Sequence, residues 1–508
     1  MYQIIEQQQI FCSNRITLIN HYKQERHRTK MNCSSKIQRY ISAFVGILGM
    51  LGCGVVYGWN IFAVALKKKF NCSQSDIENI ATSGALGMSI GGLPAGMVFD
   101  RFGPRVTSIS ALVLTGSGYT LMWMTTQYRG FFASNIWLMC IIYFVTMLGN
   151  SFTFIASLGT NSLNFRGKHH GKIIGLLSAM FGFSPAIFSL IYDRYFEQGH
   201  IMDEENQNFP GFMAFLAVCS IFVNLLGISG LKITSEEPLH GEMLLRETEV
   251  SNVNADDEIV TTDILMNKKT EKKKDPSDKT PLILDDTSDK SEFNCYQVIK
   301  TLRFHLLFWI VVILGGIGGS FVNNITAIVK SAHLEQKTSL FTASIPICSS
   351  IARFLSGILP DYITENCTRL PVSSILLVSS FFTCICQTIF AFFNQNFLGL
   401  LCNSMLMGAV YGPLFVLVPI ILIELFGGKY FGQNYGLTII ANGIGTVVFQ
   451  KLFGVIYESN SPPGFTECYG QLCTRWSFGI SAIMALFATC LNVLLMYAEI
   501  QQQATLTV

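Results

Sequence analysis

The sequence predicts an all-α integral membrane protein, with about twelve transmembrane helices in two pseudo-symmetric six-helix bundles. Three observations predict it. Half of the residues are hydrophobic and only 13% are charged, where a soluble chain of this length needs a far more polar surface. Apolar runs of roughly 20 residues, the length that crosses a bilayer, recur along the chain. Motifs of the first half return in the second.

In order along the chain, residues 1–39 form a basic tail with Arg15, Lys23, Arg26, Arg28, Lys30, Lys36 and Arg39. No secretory signal peptide is visible, so the first apolar run acts as an uncleaved anchor. The first bundle is expected over 40–232, with spans near 40–66, 79–99, 106–126, 134–160, 172–192 and 211–232. The second is expected over 302–500, with spans near 304–330, 339–359, 371–393, 397–423, 431–457 and 476–498. Residues 501–508 are a short tail. Between the bundles, 233–301 lacks a hydrophobic period and carries Asp256-Asp257-Glu258 and a lysine cluster from Lys268 to Lys274. This composition predicts a disordered linker. Within it, Asp278-Lys279-Thr280-Pro281-Leu282-Ile283 resembles an acidic dileucine sorting signal, which directs proteins to endolysosomal or vacuolar membranes; the plasma membrane is the alternative.

Orientation follows from Lys and Arg near the span ends. The tail, Arg101 and Arg105, Arg166 with Lys168 and Lys172, and the linker lysines fall on one side, which is expected to be cytosolic together with both termini. Lys67-Lys68-Lys69 runs against the rule and is outvoted. The sequon Asn71-Cys72-Ser73 falls in a loop on the other side. So does the turn with Cys468 and Cys473, where a disulfide and two free thiols are equal alternatives.

The halves repeat each other. Gly54 to Ile61 in the first span matches Gly318 to Ile325 in the seventh, with Asn60 on Asn324 and Tyr57 on Phe321. Phe165 to Gly171, with Gly175, matches Leu425 to Gly432, with Gly436. Between spans two and three stands Gly96-Met97-Val98-Phe99-Asp100-Arg101-Phe102-Gly103-Pro104-Arg105; Gly357-Ile358-Leu359-Pro360-Asp361, with Arg369 downstream, is its degraded echo. Two echoed six-span halves point to a transporter architecture.

Gly-X-X-X-Asp-Arg-X-Gly-X-Arg resembles the signature loop of the major facilitator superfamily, matched at Gly96, Asp100, Arg101, Gly103 and Arg105. The stretches 175–188 and 424–432 resemble more narrowly the nodulin-like branch, related to the monocarboxylate transporters. The resemblance implies the major facilitator fold and alternating access of two rocking bundles about a central site. It also implies that Asp100 sits against the start of the eleventh span, near Tyr430, when the cytosolic side is closed. A carboxylate at a helix N-terminus gains about 0.3–1 kcal/mol. The alternative is that Arg101 and Arg105 simply anchor the loop. Asp361 is the gating candidate of the second half.

Ionisable groups inside spans are costly and mark function. The twelve interiors hold no Asp or Glu, and Arg353 stands out. A cavity-facing Arg353 recognises an anion through its planar fork; the equal alternative pairs it with Asp361 or with helix carbonyls. Monocarboxylate transporters carry an Asp one turn before this Arg and a Lys in the first span. Here Ser349 and Ile61 stand at those places, so proton–lactate symport is not implied. The uncharged candidates for substrate binding are Tyr57, Asn60, Asn324, Asn150, Tyr411 and Asn442. Each could equally cross-link helices, worth about 0.6 kcal/mol; Asn60 with Asn324 is preferred as cavity lining.

The net charge of +2 gives no reason to expect a nucleic-acid partner. No phosphate-binding loop, catalytic constellation or metal-ligand spacing is found, so no enzyme, metal or cofactor is expected. The reading is a monomeric secondary or facilitative transporter of a small polar organic solute, an organic anion such as a carboxylate, with membrane lipid as its other partner. A transporter-like solute sensor is the alternative.

Overall fold

The computed structural model describes residues 35–166, 169–196, 207–234, 292–366, 370–393, 395–462 and 468–506. Among these the chain is built from helices and turns. In hydrocarbon each backbone group must be satisfied within its own segment, and a helix does this for every crossing.

The first half begins with α1 (Ser35–Gly58), which tightens to a 3₁₀ turn over Gly54–Gly58 and runs on into α2 (Trp59–Phe70). Ser73 then caps α3 (Gln74–Ala111) in a reciprocal capping box with Asp76. That long element is two crossings joined at Gly103, whose φ of 76° breaks the helical path. Such a φ is open to glycine at little cost, and Pro104 restarts the helix with its fixed φ. The second arm passes through a π turn at Leu112–Gly116 into α4 (Ser117–Thr125). Next come α5 (Ile136–Asn164), α6 (His170–Tyr195) and α7 (Phe209–Gly230).

The second half contains α8 (Leu302–Asn323), α9 (Thr338–Asn366), α10 (Ser373–Phe392), α11 (Phe397–Tyr411), α12 (Leu414–Phe426), α13 (Phe431–Ser459) and α14 (Leu472–Leu506). The short break at Gly412 and Pro413 leaves α11 and α12 as one crossing. Ten described segments are long and apolar enough to cross a membrane. The two arms of α3 complete the twelve.

Two helix pairs join the halves: α3 packs on α13, and α6 packs on α9. They are related by the sequence repeat. Outward faces carry exposed Phe44, Val113, Leu190, Val218, Phe222 and Ile483, which suits contact with lipid. Trp137 and Trp476 are exposed near the first turns of α5 and α14, where amphipathic rings belong at a membrane interface. Helix parity puts both on the face opposite the Gly103 turn.

Two expectations are refined. Cys468 and Cys473 form a disulfide, with Cα atoms 5.8 Å apart. The end of the segment between the halves is folded, whereas its composition predicts disorder through Thr301. Asn294 and Gln297 close a capping box over Cys295–Val298, and Thr301 caps α8. Local capping chemistry and backbone contacts with α12 and α13 order this stretch. Residues 235–291, with the dileucine-like motif, and Arg369 lie outside the described residues.

Candidate functional site

Arg353 lies on α9 at the centre of the molecule, only 3% exposed. Its Nη1 donates to the Ser178 carbonyl of α6 at 3.1 Å, a bond from one half to the other. The guanidinium sits over Phe415, 4.3 Å from the ring centroid, with Phe181 at 5.9 Å. Such cation–π contact partly replaces lost hydration. Nε is buried with no partner, as is Ser349 Oγ one turn back. Among the described residues no carboxylate pairs with Arg353. Asp361 is engaged elsewhere, so of the two structural alternatives the helix carbonyl is the one observed.

Aromatic groups from both halves enclose this cation. Tyr57, in the 3₁₀ turn of α1, packs edge-on against Phe181 at 5.4 Å and shares a hydrogen bond with Tyr411. It keeps 45% of its surface accessible. Tyr411 stands on Phe415 at 5.0 Å. Tyr435 of α13, marked in the sequence only by its place one turn after Gly432, stacks on Phe154 and Phe431.

The described contacts of Asn150, Asn324 and Asn442 lie elsewhere. Asn150 is buried within the first bundle, where it bonds Tyr119 and touches the Met147 sulfur. Asn324 turns its amide back onto the Ser320 carbonyl of its own helix at 2.8 Å. Its neighbour Asn323 reaches Gln450 instead, at 3.0 Å. Asn442 fits against Gly315, and its Oδ1 is buried without a partner. The side chain of Asn60 lies outside the described residues. A helix carrying one polar residue does not reveal its rotation, which is why the proposed Asn60–Asn324 pairing was not decidable from sequence.

Toward the Gly103 turn the two joining helix pairs end in matching contacts. Asp100 Oδ1 accepts from the Gly432 amide at 2.8 Å, and Oδ2 from the Gln433 amide at 2.8 Å. These partners lie one turn's beginning past the expected Tyr430. Asp361 Oδ1 accepts from Gly171 at 2.8 Å, and Oδ2 from Lys172 at 3.0 Å. Each carboxylate thus takes two free amides at the first turn of a helix of the other half. Backbones touch beside each pair: a Cβ on Gly96 would fall 2.1 Å from the Gly432 oxygen, and one on Gly171 would fall 2.1 Å from the Gly357 oxygen. The echo at Gly357–Asp361 is degraded in sequence but makes the same two carboxylate–amide bonds and the same glycine contact. Arg101 and Arg105 are exposed, Arg101 lying over its neighbour Phe102. Burial pushes the Asp100 carboxyl up to about 6 against the pull of the Gln433 and Gly432 amides.

The model of the Major Facilitator Superfamily matches residues 43–370. The chain belongs to the major facilitator superfamily. It is therefore an integral, multi-pass membrane transporter. It is 22% identical to a probable transporter mch1 of Emericella nidulans, over 90% of this chain and 85% of that protein. It is 24% identical to a probable transporter MCH1 of Gibberella zeae, over 90% and 89%. Among solved structures of the superfamily it resembles the proton:xylose symporter XylE, with a TM-score of 0.60 and 13% identity over 90% of this chain and 95% of that one. It also resembles FucP, with a TM-score of 0.58 and 14% identity over 89% and 99%.

Proposed function

We propose that this chain carries a small organic anion, a carboxylate being the simplest, and that Arg353 recognises it. One observation carries the reading: a buried guanidinium between the halves, with an unpartnered Nε and no described carboxylate beside it. A buried cation without a counter-ion is costly, and an arriving carboxylate supplies the missing charge and accepts from the free edge. Tyr57, Tyr411 and Tyr435 offer phenols and ring faces to the rest of the solute. Asp100 and Asp361 are latches that hold the cytosolic side shut, and both must release for the site to open there. The termini are cytosolic in this reading, and the nodulin-like and monocarboxylate-transporter-like resemblance is the closest guide to its branch.

The test is a melting screen of the purified protein with small carboxylates, amino acids and sugars, followed by uptake into proteoliposomes. Carboxylates should stabilise the wild-type protein and leave Arg353→Gln unmoved. Equal stabilisation of both proteins would remove Arg353 from recognition. Binding without uptake would favour the sensor reading.

A further inference from the structure

The two latches are alike in their carboxylates but not in what supports the amides they grip. The turn between α12 and α13 presents Gly432 and Gln433 to Asp100. It is held from behind by the described end of the segment that joins the halves. Glu292 Oε2 accepts from the Lys429 amide at 2.8 Å. Its carboxylate fills the place of a Cβ at Gly427, whose φ of 77° turns the chain. The Phe293 amide donates to the Phe426 carbonyl at 3.2 Å, and Asn434 Nδ2 donates to the Phe293 carbonyl at 3.0 Å. The Cys295 amide donates to Gln433 Oε1 at 3.4 Å, on a residue whose own amide Asp100 accepts. The Phe293 ring packs edge-on against Phe426, 6.0 Å between centroids.

The helix start at Phe431 is thus served by two carboxylates from different places. Asp100 belongs to the opposite half and leaves when the halves part. Glu292 belongs to the same half as the turn and stays. We infer that Glu292, with the strap through Cys295, is a positioning device that holds the Gly432 and Gln433 amides in line for Asp100. This rests on the reading of Asp100 as a latch.

The test is amide hydrogen exchange on the full-length purified protein, following peptides over 428–436 and over 169–175. Glu292 is exposed, so its single carboxylate–amide bond is worth about a two- to fivefold change. Glu292→Ala should speed exchange in 428–436 by that factor and leave 169–175 behind. Glu292→Gln, which keeps an acceptor oxygen, should restore part of the protection. Asp100→Asn should also speed 428–436, and adding Glu292→Ala to it should have a smaller effect than in the wild type, since a positioned cradle matters only while Asp100 is there to use it. Equal acceleration of both peptides, or full additivity, would make Glu292 a general stabiliser and overturn the inference. A response to Asp100→Asn with none to Glu292→Ala would overturn the strap alone. No response to Asp100→Asn would remove the latch and the strap with it.

Discussion

The Asp100 and Asp361 contacts, proposed above as latches, join the halves in the same way, and their difference is the instructive part. Each uses a carboxylate on two first-turn amides of the other half, with a glycine four residues earlier that lets backbones touch. One turn before that glycine the repeat breaks. In α3 the position is Gly92, which packs against Gly436; in α9 it is Arg353. The Asp361 latch therefore lies directly below the proposed anion site. The Asp100 latch has no charge above it and is strapped from behind by Glu292. One contact lies beside the proposed anion site, and the other is bonded to the described end of the segment joining the halves.

The largest effects should come from the glycine contacts. Gly96→Ala and Gly357→Ala each drive a methyl to within 2.1 and 2.3 Å of a facing carbonyl oxygen. Overpacking of this kind costs about 1–3 kcal/mol. Uptake should fall at least tenfold for both, with the melting temperature moved by only a few degrees. A loss confined to one variant would break the equivalence of the latches. Arg353→Gln comes next, because a hydrogen bond to a charged group is worth about 1.5–3 kcal/mol. Carboxylate affinity measured by calorimetry should fall ten- to a hundredfold, and Arg353→Lys should recover only part, lacking the planar fork.

Asp100→Asn and Asp361→Asn each leave one first-turn amide without its acceptor, at about 1–2 kcal/mol. Transport rates of the two should drop by similar factors while solute affinity holds. A silent Asp361→Asn would mean that the second contact is packing alone. Tyr57→Phe is the mildest. It removes one shared hydrogen bond with Tyr411, about 0.5–1 kcal/mol, and should weaken solute affinity two- to fivefold without altering exchange at either latch.

How far the sequence reached follows from which interactions are local. That Asp100 meets the start of the eleventh span was legible from the family resemblance, which pointed to Tyr430 where Asp100 takes the Gly432 and Gln433 amides; the partner of Asp361 was not, because the echo at Gly357–Asp361 marks a repeat and does not name the helix that faces it. Arg353 was legible because a charge inside an apolar run has few places to go. Asn150 and Asn324 were not, since their amides are spent within their own bundle and their own helix, and nothing in one helix's sequence sets its rotation. Tyr435 carried a weak signal, one turn after Gly432 and so on the face that meets the first bundle. Glu292 carried none. A lone acid at the end of a polar stretch acquires meaning only when a turn some 137 residues later is folded beside it.

The claim that the latches answer to different controls is tested most directly by amide exchange of 169–175 and 428–436 in Arg353→Gln and Glu292→Ala, measured side by side. Losing the Arg353 bond to the Ser178 carbonyl loosens α6 against α9, and losing Glu292 loosens the turn before α13. The account predicts a crossed pattern, with faster exchange in 169–175 for Arg353→Gln and in 428–436 for Glu292→Ala. The same acceleration of both peptides in both variants would contradict it, because the two latches would then be one rigid closure without separate inputs.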